Sequence, residues 1–202
     1  MAPPENLPIN SKERVLEFFA NEVSNYILGD IDRLTNEVRP DEKTGLRGCT
    51  VPLAMMVFSV IDLFGYLCRD DKDARKTDTL KNFQYLMSEA AGLFPAAYND
   101  NCEKIVKLFR HGLIHQFFPK ASVISKSGLE RPLIFENSEG VPTLNVDVLS
   151  KDIRVALDKL KCVIAENKNP CLTERINRRL DKLIKEDYEE ANLHSSENGV
   201  NS

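Results

Sequence analysis

Residues Val51 to Cys68 constrain the fold of this chain more than any other stretch. They are apolar apart from Ser59, Asp62 and Gly65. A helix that is hydrophobic on every side must be surrounded, either by lipid or by other elements of its own domain. A bilayer span needs about 20 apolar residues, and Asp62 falls near the middle of a shorter run. The segment is therefore expected to be a buried helix of a soluble domain, with no membrane contact and a partner waiting for Asp62. That partner is either a cation or histidine that Asp62 orients across the bundle, with Ser59 supporting it, or a neighbouring hydroxyl or amide that satisfies a buried acid.

Helical periodicity surrounds this segment. Leu16, Phe19, Val23, Ile27, Ile31 and Leu34 recur at intervals of three and four, which predicts an amphipathic helix from a capping pair at Asn10 and Glu13 to about Val38. Arg39-Pro40 ends it. Thr50 is placed to cap the apolar helix. A third helix is expected from Asp78 to Ala91, burying Leu80, Phe83, Leu86 and Met87, and a fourth from Asn99 or Asp100 to just before Pro119. These four give an up-down helical core over residues 10–120.

The pattern then changes. Ser122-Val-Ile-Ser, Pro132-Leu-Ile-Phe and Thr143-Leu-Asn-Val-Asp-Val alternate or carry β-branched residues between Ser-Gly and Glu-Gly turns, which predicts a small antiparallel appendage over 121–148. Further helices follow over 149–190, the fifth capped by Ser150 and turning Ile153, Ala156, Leu157, Leu160 and Ile164 inward. The sixth opens at Pro170, a residue favoured at the first helical position. Residues 191–202, rich in Ser, Asn and Gly, are expected to be disordered.

Composition limits the function classes. The chain has 202 residues, 42% hydrophobic and 29% charged, with a net charge of −4. That is globular, and any nucleic-acid contact has to come from a local patch. The cysteines at 49, 68, 102, 162 and 171 show no paired spacing, so neither a disulfide framework nor a zinc site is expected, and a reducing cytoplasm is the simplest setting. The opening MAPPENLPIN carries neither a basic nor an apolar signal region.

Chemistry concentrates at Arg110-His-Gly-Leu-Ile-His115, a permanent cation and two imidazoles inside the apolar stretch Ile105 to Phe118. Buried charge is costly unless paired. His111 and His115 share a helix face, but there is no His-Glu-x-x-His pattern and no clear third ligand, so no metal or other cofactor is expected. On the last helix Arg175, Arg178, Arg179 and Lys182 form a basic stripe. It is either a guide for a phosphate backbone or, since Glu174, Asp181, Glu186 and Asp187 interleave with it, an ordinary charged face.

In its all-helical setting, Arg110-His111-Gly-Leu-Ile-His115 resembles the signature of HEPN domains, α-helical modules named for higher eukaryotes and prokaryotes. Their motif runs from arginine, through a following polar residue, to histidine near the start of the last core helix. The resemblance covers about residues 10–120. It implies a metal-independent endoribonuclease with a toxin-like or defence role, acting as a homodimer whose two motifs meet at one cleft, and in some cases held by a cognate antitoxin. It also admits a catalytically inactive member that serves as an interaction or nucleotide-binding module.

Helix geometry agrees with a shared cleft. At 100° per residue Arg110 and His115 lie about 140° apart, so a second copy has to bring its motif alongside the first. On this reading His115 is the acid/base, Arg110 the phosphate clamp and His111 an orienting or assisting group.

Overall fold

A computed structural model describes residues 11–37, 48–116 and 121–197, with side chains described throughout these except at 37, 89, 114–116 and 187–197. The fold is mainly α with one small mixed β-sheet. Its axle is helix α2, Thr50–Cys68. Leu53, Ala54, Val57, Phe58, Ile61, Phe64 and Leu67 are all fully buried. Helix α1 (residues 11–37), α3 (Thr79–Met87), α4 (residues 97–116), α5 (Val146–Ala165) and α6 (Pro170–Glu197) all pack against α2. Although α2 is long and apolar enough to cross a membrane by composition alone, the protein's own helices cover it. Of its most apolar window, 61% is buried inside the protein, as in a core helix. Each large side chain so enclosed contributes roughly 1.5–3 kcal/mol of burial.

Helices α2 and α3 approach each other backbone to backbone at Gly65. A Cβ at Gly65 would lie 2.1 Å from the backbone oxygen of Asn82, well inside van der Waals contact. Glycine at 65 is what lets the two helices touch backbone to backbone.

Helix α1 follows its predicted stripe, burying Phe19, Val23 and Ile31 along with Val15 and Leu28. Two of its stretches, Phe19–Ile27 and Arg33–Glu37, are wound as wider π-helix. Asn10 and the Arg39-Pro40 stop lie outside the described residues. Several boundaries differ from expectation. The residue preceding α2 is Cys49, in a left-handed conformation with φ 60° and no side-chain cap, so Thr50 is the first helical residue. Helix α3 stops at Met87, a 3₁₀ turn taking over at Glu89–Ala91, and leaves Leu80 only half-buried. Helix α4 starts at Ala97.

The cap of α5 is Asn145, whose side chain accepts a hydrogen bond from the Asp147 N–H. Ser150 instead lies inside the helix and donates to the Asp147 carbonyl at 3.0 Å. Helix α6 continues to Glu197, so residues 191–197 are helical, contrary to the disorder expected there, and 198–202 lie outside the described residues. Ile153, Leu157, Leu160, Ile164, Ile176 and Leu180 join the same continuous core as α1–α4. The C-terminal helices complete that core rather than resting on a finished one.

Strands β1 (Val123–Ser125), β2 (Ile134–Glu136) and β3 (Pro142–Asn145) form a sheet in the order β1-β3-β2. β2 and β3 are an antiparallel hairpin, but β1 runs parallel to β3, pairing Val123 with Thr143 and Ser125 with Asn145. The sheet is thus mixed, where an antiparallel one was expected. Alternation along a strand reports which face is buried and carries no information on direction. Nor is the sheet a detached appendage, since Leu144 of β3 is fully buried in the common core.

Candidate functional site

Asp62 sits on α2 with 14% of its side chain exposed, and Arg110 on α4 with 18%. Their side chains form an ion pair, Arg110 Nη2 donating to Asp62 Oδ2 at 3.0 Å. Two donors from α3 complete the carboxylate's shell. Thr79 Oγ1 donates to Oδ2 at 2.9 Å and Asn82 Nδ2 donates to Oδ1 at 2.8 Å. The two readings of Asp62 therefore hold together, because it both binds the cation across the bundle and is satisfied by a hydroxyl and an amide.

The network continues behind Asn82, which is fully buried. Arg69, just past the end of α2, donates from Nη1 to Asn82 Oδ1 at 3.0 Å, from Nη2 to Asp78 Oδ2 at 3.0 Å and from Nε to Asp71 Oδ1 at 2.7 Å. The Arg69 guanidinium beside it holds the Asp78 carboxyl below its ordinary value of 3.8, an effect that outweighs desolvation. Arg110 is thus anchored through Asp62 to α3, and α3 through Arg69 to the end of α2. Side chains fixed at both ends in this way lose little further freedom when a ligand arrives.

Ser59 takes no part in this network. Its hydroxyl is exposed and donates to the Met55 carbonyl of its own helix at 2.9 Å. The hydroxyl that supports Asp62 is that of Thr79, from a different helix.

Arg110 and half-buried His111 open onto a groove of about 480 Å³, whose other wall is Thr77, Asp78, Thr79, Leu80 and Lys81. That wall is the first turn of α3, where Asp78 makes no side-chain capping bond. The first N–H groups of a helix lack intrahelical partners and carry partial positive charge. Arg110, His111 and exposed Lys81 stand at this groove together with the Asp78 carboxylate, so it sets cationic and N–H donors beside one acid. It offers point donors to an anion, and phosphate is the anion such helix ends commonly take.

The helix around Arg110 changes its winding. Ile105–Arg110 is π-helical and His111–Gln116 is regular α-helix. The backbone of His115 lies in that regular turn, so the 100° step from Arg110 onward applies; the His115 side chain lies outside those described. Among the described residues no cluster of three histidine, cysteine or acidic side chains is placed to hold a metal.

The basic stripe on α6, read either as a phosphate guide or as an ordinary charged face, divides in the structure. Arg179 is 5% exposed and its guanidinium caps the end of α2, donating to the carbonyls of Tyr66, Arg69 and Asp71. Arg175 donates to the Cys68 carbonyl at 2.6 Å. Orphan carbonyls at a helix C-terminus need such donors. Arg178 is exposed, and Lys182 faces Glu186 at 3.7 Å. Arg175 and Arg179 are therefore structural caps and not a phosphate track.

Sequence reasoning missed Arg69, Thr79 and Asn82. Asn82 left a legible trace, since an amide stands one position before Phe83 on a face that also buries Leu86 and Met87. Arg69 left none. It read as part of a charged turn. The chain matches no protein-family model, no curated protein and no solved structure.

Proposed function

We propose that the protein is a HEPN-like endoribonuclease that cleaves RNA without metal, by attack of the ribose 2′-hydroxyl on the adjacent phosphate. The observation that carries this reading is that Arg110 and His111 open together onto the uncapped first turn of α3. Phosphodiester cleavage of this kind needs a base for the 2′-hydroxyl, an acid for the leaving 5′-oxygen and cationic donors for the phosphorane. Imidazole, with an ordinary pKa of about 6.5, serves either proton role near neutrality, each worth roughly 10²–10⁴-fold. Arg110 supplies the permanent cation. His115 is the acid/base and His111 assists. Asp62 positions Arg110.

Because Arg110 and His115 diverge around one helix, the working site is composite and the active species a homodimer. A cytoplasmic toxin-like or defence role, with a cognate antitoxin as partner, goes with this reading.

One observation favours a second reading. Asp62 already balances the Arg110 charge, as in a structural ion pair. On that view the groove is a catalytically silent interaction or nucleotide-binding module of the same HEPN-like type.

Incubation of pure protein with RNA in EDTA separates the two. The enzyme reading expects cleavage that falls by at least about 10²-fold in both Arg110→Ala and His115→Ala, with circular dichroism unchanged. Wild type that leaves RNA intact as a dimer overturns it in favour of the silent module.

A further inference from the structure

A second pocket, of about 290 Å³, lies between the end of α1, the loop at Gly128–Leu129 and the first turns of α5. It shares no residue with the Arg110 groove. Asp147 lines it and is 6% exposed. Its Oδ2 accepts the Gly128 N–H at 2.8 Å, whereas its Oδ1 is buried and has no hydrogen-bond partner, the only such side-chain atom among the described residues. Buried carboxylate oxygens are almost always paired, so an orphan calls for a donor from outside the chain.

The surroundings hold that oxygen in place. Asn145 is fully buried and donates from Nδ2 to the carbonyls of Gly128 at 2.7 Å and Arg131 at 3.1 Å, while its Oδ1 caps α5. Asp147 is thus not needed as the cap. Lys126 Nζ fastens the same loop to the carbonyls of Leu34 and Thr35 at the end of α1, at 2.8 and 3.0 Å. Arg154 is engaged with Asp32 and the Leu28 carbonyl. Ile31 and Leu129 supply apolar surface, and exposed Lys151 stands one helical turn beyond Asp147.

From this arrangement we infer a binding pocket for a small molecule that presents an amino group to Asp147 and an anionic group to Lys151. The body between them rests on Ile31 and Leu129. The volume is near the lower end for small-ligand sites. Two kinds of compound carry this chemistry, free α-amino acids and nucleotides whose base bears an exocyclic amine. The inference is independent of the ribonuclease reading.

Thermal shift followed by calorimetry tests it, with the twenty α-amino acids in one arm and AMP, CMP and UMP in the other, all at millimolar concentration. Binding of amino acids identifies the first source. Binding of AMP or CMP but not UMP, which lacks the amine, identifies the second. In either case Asp147→Asn, which turns the orphan acceptor into a donor, weakens binding by about tenfold or more. Lys151→Ala, at an exposed position, weakens it by roughly threefold or more without moving the unliganded melting temperature. Should Asp147→Asn fail to fold, Lys151→Ala still decides. No shift with either panel, or binding that both substitutions leave intact, overturns the inference and leaves Oδ1 a buried acceptor without a ligand.

Discussion

Two carboxylates in separate sites of this fold have opposite fates. Asp62 takes three side-chain donors from two helices and passes its order on to Arg110. Asp147 takes one backbone donor and leaves its other oxygen empty. The first is a closed network, which fixes the Arg110 side chain. The second is an open one, with one acceptor unmet, which is the basis of the inferred ligand pocket. Burial alone does not distinguish a structural acid from a binding acid, whereas the count of donors around it does.

The largest expected effect removes the frame on which the closed network hangs. Gly65→Ala forces a methyl group into the Asn82 backbone and is expected to cost at least about 3 kcal/mol in urea denaturation, separating α2 from α3. Unchanged stability would mean that the helices do not cross so closely. A moderate effect is expected from Asp62→Asn, about 2 kcal/mol, because one oxygen becomes an NH2 that faces either the Asn82 amide donor or the Thr79 and Arg110 donors, and the charge that pairs with Arg110 is lost. Asp147→Asn is expected to stay within about 1 kcal/mol of wild type, since its remaining oxygen still receives the Gly128 N–H. Equal losses at 62 and 147 would break the contrast.

The smallest effect concerns pH. The Asp78 carboxyl is held below its ordinary 3.8 by Arg69. Its contribution is therefore full above that ordinary value and is lost as the pH falls through the lower value of the folded state. Melting temperature followed on acidification is expected to drop more steeply for wild type than for Asp78→Asn below about pH 4. Parallel curves would show that the Arg69–Asp78 contact is inert.

Much of the fold could be read from the chain because burial leaves a periodic trace. The surrounded helix Thr50–Cys68, the stripe Phe19–Val23–Ile31 and the inward face of α5 all follow spacing alone. The Asp62–Arg110 link was legible only from one side: Asp62 is the one acid in an apolar helix, whereas Arg110 shares its helix with Lys104 and Lys107. Which hydroxyl would serve Asp62 was not. Ser59 is three residues away in sequence, but its oxygen bonds along its own helix, and Thr79 arrives only through tertiary packing. Arg175 and Arg179 looked like surface charges because sequence does not show that the end of α2 lies beneath them. The direction of β1 and the orphan oxygen of Asp147 are likewise properties of three-dimensional neighbours.

The central claim is that Arg110 and its neighbouring imidazoles cleave RNA through the ribose 2′-hydroxyl. It is tested most directly by end-group analysis of two oligonucleotides of one sequence, all-ribose and 2′-O-methylated, incubated with pure protein in EDTA. The account predicts that only the all-ribose strand is cut, that its fragments end in 2′,3′-cyclic phosphate, and that Arg110→Ala abolishes the cut. Cleavage of the methylated strand, or cleavage that survives Arg110→Ala, would contradict it.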